Sequence, residues 1–374
     1  MDLDFSPEQD MLRDAVAGIC ADKSSLESVR QMEKDETGYH PEFWNAMAEL
    51  GLVGLIIPEE HGGTGMSMVD AVVVYEELGR TIAPSPHFVS SVLAGGVLTR
   101  AGTAEQQQTW LPRIATGEVV VTPAWLEPDN SSGPTGVQLR ASGGPDGVTL
   151  TGVKRHVAFA GSADALIVLA REDDGVSLFL VDPAAPGITA TPQDTIASDN
   201  QSRIDLDAVA VSDADRIGPP GAGWPIWHDT LLDGAILAGA QAVGGSMFAH
   251  ALATGYAKER VQFDKPIGAF QAISHYLADA VTAVDGARTL VHQAAWARDE
   301  GHSVERLAPM AKLFATRTFR EITGTGIQIF GGLGFTVEYD VQLYFRRAKS
   351  LELNWWDPSH LEELIAAEVL DSPA

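Results

Sequence analysis

The sequence predicts an α+β multidomain protein. We expect an N-terminal helical domain over residues 1–117, a middle β-barrel or sandwich over 118–222, and a C-terminal four-helix bundle over 223–374. Three observations carry this. Apolar residues recur at helical spacing up to about Gly117, short β-branched runs separated by turns fill Glu118 to about Gly218, and Ala-rich helical patterns return after Gly221-Ala222-Gly223-Trp224. A chain of 374 residues is long enough for two or three compact units.

In the first segment, Ser6 followed by Pro7 and Glu8 starts a helix, because the hydroxyl caps free amides and proline suits the first turn. Leu12, Val16 and Ile19 mark its apolar side. Phe43, Met47, Leu50, Leu52 and Val53 cluster ahead of Pro58, which stops the run. His61-Gly62-Gly63-Thr64-Gly65 is a loop, either a tight turn between helices or backbone that approaches a ligand. Helix resumes over Val69–Leu78, breaks at Pro84 and Pro86, returns up to Leu98, and ends with Glu105–Ile114.

The middle segment offers E-V-V-V-T-P, G-V-T-L-T-G-V, A-L-I-V-L-A, V-S-L-F-L-V and I-D-L-D-A-V-A-V as strands, with turns at Gly144-Pro145-Asp146-Gly147 and Pro183–Gly187. Strands followed by helices argue against a doubly wound sheet, and no Gly-x-Gly-x-x-Gly follows a strand. Helices then cover Leu231–Tyr256, Ile267–Gln293, Val304–Gly326 and His360–Leu370, the last started by Asp357-Pro358-Ser359. The first of these is rich in small residues, with Ile236, Leu237, Ala240, Val243, Met247 and Phe248 as its apolar face. Such a surface permits close packing in a core or at a subunit interface.

Lys plus Arg number 25 against Asp plus Glu 51, a formal charge of −26. That balance opposes binding to nucleic acid or an anionic membrane through a general basic field. No apolar run suggests a membrane span and the acidic start lacks the basic opening of a secretion signal, so a cytoplasmic location is expected. The single cysteine, Cys20, leaves no disulfide framework and no thiolate metal site, and a buried structural thiol is expected.

Three stretches carry the chemistry: R-V-Q-F-D-K-P-I-G-A-F-Q from Arg260, Q-I-F-G-G-L-G-F-T-V-E-Y from Gln328, and F-R-R-A-K from Phe345. Glycines closing a helical run either cap it or leave bare amides open to an anion or a flat polar ligand. The Arg260 guanidinium is a natural fork for two phosphate oxygens.

Together and in this order, these segments resemble the acyl-CoA dehydrogenase family of flavoproteins. M-D-L-D-F-S-P-E-Q-D-M-L-R resembles the family's opening helix, L-G-L-V-G-L-I-I-P-E-E-H-G-G-T-G a second signature, and Y-E-E-L-G-R the helix after it. The resemblance implies FAD as cofactor and α,β-dehydrogenation of an acyl-CoA thioester. It assigns cofactor binding to Arg260, Phe263, Gln328, Phe330, Gly331 and Gly332. An acyl-CoA approaching so acidic a chain needs local Arg and Lys contacts.

Dehydrogenation of a thioester requires a carboxylate for the α-proton, a flavin for the β-hydride and donors for the carbonyl. Where the family usually places its Glu, this chain has Trp355 or Trp356, which cannot accept a proton. Other members carry the base on an earlier helix, and Asp233 matches that position. It is either a base or the cap of a helix beginning at Gly234, which itself replaces an arginine.

The family's Thr-Glu-Pro stretch becomes Leu126-Glu127-Pro128 here, and its Trp-Ile-Thr beside the flavin becomes His156-Val157-Ala158. Both hydroxyls are gone. Asp264, in place of a glycine, adds a negative charge near Arg260. Retention of one half of the cofactor site and loss of the other resembles heteromeric α2β2 members from actinobacteria, several linked to steroid side-chain breakdown. In these a homologous partner completes the site. A homotetramer using Asp233, or a non-catalytic scaffold subunit, are the other readings.

Overall fold

The computed structural model describes residues 5–128, 131–144 and 147–371. Helices α1 (Pro7–Lys23), α2 (Leu26–Met32), α3 (Pro41–Glu49) and α4 (Met68–Arg80) open the chain. A π-wound turn, Phe88–Ala94, runs into α5 (Gly95–Ala101), and α6 (Ala104–Ala115) follows. The strands are β1 (Val121–Ala124), β2 (Arg140–Gly144), β3 (Gly147–Ala158), β4 (Ala165–Glu172), β5 (Gly175–Val181), β6 (Ile188–Pro192), β7 (Gln201–Val211) and β8 (Arg216–Ile217). Helix α7 (Gly223–Glu259) is followed by the hairpin β9 (Val261–Gln262) and β10 (Lys265–Pro266), then α8 (Gln271–Asp299), α9 (Leu307–Phe330), α10 (Val341–Leu353) and α11 (Pro358–Ala366). The expected α+β class, helical at both ends with β-structure between, is the one observed.

By contact the chain divides into two compact units, neither of them contiguous. One contains residues 1–29, 67–83 and 235–374, the other 30–66 and 84–234. In the first, α1 packs on α4, α4 on α8, and α9 on α8, α10 and α11. Ser6 caps α1 by accepting from the Gln9 amide, and Gln9 returns the bond in a capping box. Cys20 is buried, and burial pushes its thiol up to about 11. The small residues of α7 serve the core: a Cβ at Gly244 would lie 1.8 Å from the Glu76 carbonyl oxygen, and one at Gly79 2.0 Å from that of Gln241. Backbones this close exclude any side chain larger than hydrogen.

In the second unit, eight strands form one mixed sheet in the order β6-β7-β3-β2-β4-β5-β8, with β1 beside β4. Most pairs are antiparallel, but β4 runs parallel to β1 and β2. Leu150, Val157, Leu166, Val168, Phe179 and Ile204 form the centre of its core.

Several expectations need correction. Helix α7 begins eight residues before Leu231, so Asp233 lies inside it and caps nothing. Leu50 is 53% exposed at the end of α3, whereas Phe43, Met47, Leu52 and Val53 are buried. Residues 223–259 form one helix that is long and apolar enough to cross a membrane by length and composition alone. The reason is the core: 67% of its most apolar window is buried inside the protein. Met1–Asp4 of the opening motif, Asp129 and Asn130 of the Glu-Pro stretch, and Pro145 and Asp146 of the expected turn lie outside the described residues.

Candidate active site

In the first unit the ends of α7 and α9 meet. Ala253 and Ala257 pack on Ile329, and the Tyr256 ring stacks on Phe330 with centroids 4.1 Å apart and planes 17° from parallel. Tyr339 meets the other side of Phe330 edge-on at 5.7 Å. The Tyr256 carbonyl also accepts the Arg260 amide at 2.9 Å, so the aromatic stack fixes where Arg260 leaves the helix. Phe330 itself is 7% exposed and acts as an anchor. Around it Arg260, Gln328, Gly331 and Gly332 are exposed, which brings the two sequence motifs to one end of the bundle.

The hairpin after Arg260 turns through Phe263 and Asp264, with φ of 53° and 62°. Two left-handed residues match the twist of a two-residue hairpin, and the turn lifts the Phe263 ring to 85% exposure. At the end of α9 the chain reverses through Gly331, with φ 65° and ψ −140°, a conformation open to glycine. A Cβ at Gly324, Gly331 or Gly332 would meet nothing within 4 Å. Gly324, Ile327, Gln328, Gly331, Phe335 and Phe345 line a cavity of about 320 Å³.

In the second unit the segment after β1 is tied inward. Lys154, wholly buried, donates to the Trp125 carbonyl at 3.3 Å and to Glu127 Oε1 at 2.6 Å. Glu127 also accepts the amides of Gln138 and Leu139 at 2.9 Å. Burial pulls the Lys154 ammonium down to about 8, with the Glu127 carboxylate opposing the shift. Leu126 has no hydroxyl to offer, and Ala158 contributes only its carbonyl, which accepts from Thr122 Oγ1 at 2.7 Å. His156 is exposed on the same strand.

Asp233 is 6% exposed and accepts from Arg100 Nη2 at 2.5 Å, while Arg100 Nε donates to Asp229 at 2.6 Å. The Asp229 and Asp233 carboxylates thus share the Arg100 guanidinium. In the first unit Trp356 is buried at 1% exposure, and Trp355 and Trp356 both have positive φ. At these two positions Trp356 packs in the core and Trp355 is half-buried.

Two of these residues escaped the sequence reading. Lys154 shares the inward parity of Val148 and Leu150 on β3, a signal that was available. Arg100 is 133 residues from Asp233 and gives no local sign.

Family models for acyl-CoA dehydrogenase match in chain order: the N-terminal domain over residues 6–118, the middle domain over 123–209 and the C-terminal domain over 221–354. The chain belongs to the acyl-CoA dehydrogenase family. It is 33% identical to the probable acyl-CoA dehydrogenase YngJ of Bacillus subtilis over 99% of this chain and 100% of that one. Acyl-CoA dehydrogenase FadE27 of Mycobacterium tuberculosis is 31% identical, with 93% of each chain covered. Among solved structures, a chain of the ChsE4-ChsE5 complex from Mycobacterium tuberculosis superposes with a TM-score of 0.91 at 28% identity, covering 100% of this chain and 100% of that chain.

FAD is the cofactor of this acyl-CoA dehydrogenase family. The residues present fit one part of it. The open glycine reversal at Gly331 and Gly332, the exposed Arg260 guanidinium and the exposed Gln328 amide suit an anionic diphosphate and its adenosine. On the sheet, Leu126 and Ala158 offer no side-chain donor and Glu127 is bound internally.

Proposed function

We propose that this chain is a subunit of a heteromeric acyl-CoA dehydrogenase. It lends Arg260, Phe263, Gln328, Gly331 and Gly332 to a FAD site that a homologous partner completes, and the partner carries the principal base. Phe330 supports that surface from beneath. When bound, FAD supplies the acceptor for the β-hydride of an acyl-CoA thioester. This chain's residues hold its diphosphate and present the exposed Phe263 ring beside it. The functional division follows residues 1–117, 118–222 and 223–374.

One contrast carries the reading: the groups suited to the diphosphate are displayed at the surface, while the Glu127 carboxylate is held by the buried Lys154 and the buried Asp233 is paired with Arg100. Exposed Phe263, Phe335 and Val337, at 85%, 76% and 71%, add apolar area of the kind a partner covers. The likeness to a complex of two different chains, ChsE4 and ChsE5, supports it as well.

Arg260→Ala in the assembled enzyme is the test. A charge-assisted phosphate contact is worth about 1.5–3 kcal/mol, so FAD affinity falls by about 10- to 100-fold while the assembly persists. Unchanged FAD retention after dialysis contradicts the assignment.

A further inference from the structure

Lys312, on α9, is a buried amine that the cofactor surface does not use. Its side chain is wholly enclosed, and its Nζ donates to the Trp356 carbonyl at 2.8 Å and to the Leu351 carbonyl at 3.2 Å. One acceptor lies in α10 and the other in the turn before α11, so a single amine ties the two together. The turn is strained. Trp355 and Trp356 both hold positive φ, 55° and 77°, a region that bulky side chains rarely enter. Such backbone persists only where its surroundings enforce it, and here they are the Lys312 bonds and the burial of Trp356.

Two carboxylates favour the charged amine. Asp357 caps α11 by accepting from the Ser359 and His360 amides, and Glu352 is held by Arg320 Nε at 2.8 Å and Lys349 Nζ at 2.7 Å. Burial opposes them and prevails, pulling the Lys312 ammonium down to about 7. On the α11 side, the His360 ring lies 5.8 Å from that of Trp356 and its Nδ1 is 3.4 Å from Glu363. On α8, which also packs on α9, Arg288 and His292 are taken up by Glu76.

We propose that Lys312 makes the turn between α10 and α11 a pH-sensitive clasp, closed over the neutral amine and opened by its protonation. The closed turn encloses the amine and the open turn returns it to water, so a proton binds the open form more tightly. With the amine at about 7 when closed and near its ordinary 10.5 when open, opening grows as pH falls from about 10 toward 7 and levels off below that. The clasp lies within one compact unit and is independent of whether the flavin site is shared between chains.

Hydrogen exchange of the full chain, read by peptide mass spectrometry and corrected for the intrinsic rate at each pH, measures the opening of residues 351–361. Their amides include Asn354, bonded to the Ser350 carbonyl, and Leu361, bonded to that of Asp357. The opening constant is expected to rise about 50-fold from pH 9 to pH 7 and by no more than about twofold from pH 7 to pH 5. Lys312→Met flattens the profile. Asp357→Asn keeps a cap but removes a charge that favours protonation, so the levelling-off moves to lower pH. His360→Gln leaves the profile unchanged.

A pH-independent opening constant in the natural chain overturns the proposal, even if Lys312→Met fails to fold. So does an unchanged slope in Lys312→Met, or loss of the slope in His360→Gln. Exchange of residues 351–361 at the same rate as the core of α9 also overturns it, because the turn would then open by global unfolding alone.

Discussion

Replacing Lys154 with methionine is expected to lower stability by about 3–5 kcal/mol, because it strands a buried carboxylate without its cation. Methionine fills similar volume, so the loss is electrostatic and does not come from a cavity. Glu127 keeps the amides of Gln138 and Leu139, but these cannot replace the ammonium at 2.6 Å. Adding Glu127→Gln removes the stranded charge and is expected to recover a substantial part of the loss. The two single variants and the double variant, compared by chemical denaturation, give the coupling energy directly. Additive losses would mean that the pair does not act as a unit.

Lys312→Met is expected to cost about 2 kcal/mol at neutral pH, since a buried and a part-buried carbonyl lose their donor while a desolvated charge is removed. Lys312 Nζ donates to the Trp356 carbonyl at 2.8 Å and to that of Leu351 at 3.2 Å. It thereby ties the end of α10 to the turn in which Trp355 and Trp356 hold φ of 55° and 77°. Burial pulls its ammonium from 10.5 to about 7, with the Asp357 and Glu352 carboxylates opposing.

Between about 7 and 10.5 the unfolded chain binds a proton at Lys312 that the native chain does not. Stability then rises with pH in that window, and below it the full cost of the buried charge is present. The variant lacks this gain. The gap between natural chain and variant should therefore widen from about pH 6 to about pH 9.5 in denaturation midpoints, and a narrowing gap would contradict the assignment.

How much of this was legible depends on range. Ser6-Pro7-Glu8 announced α1 because capping is local, and the runs at 165–170 and 176–181 announced β4 and β5 because fully buried strands read as apolar runs. Strand β6 was missed because four of its five residues are exposed and leave no alternation. Strand β2, Arg140–Gly144, is polar and glycine-rich and carries no β-branched run.

Motif order pairs Arg260 with Gln328, and the Tyr256–Phe330 stack is what brings the two segments to one end of the bundle. The internal commitments of Asp233 and Glu127 depend on partners brought near by folding. Arg100 is 133 residues from Asp233 and Lys154 is 27 from Glu127, and no spacing rule reaches either.

The visible absorption spectrum of this chain, purified alone and then together with a co-expressed homologous partner, tests the shared site most directly. The chain alone should be nearly colourless, and the complex should show flavin bands that bleach with acyl-CoA. A yellow homo-oligomer of this chain that is bleached by acyl-CoA without any partner would contradict it.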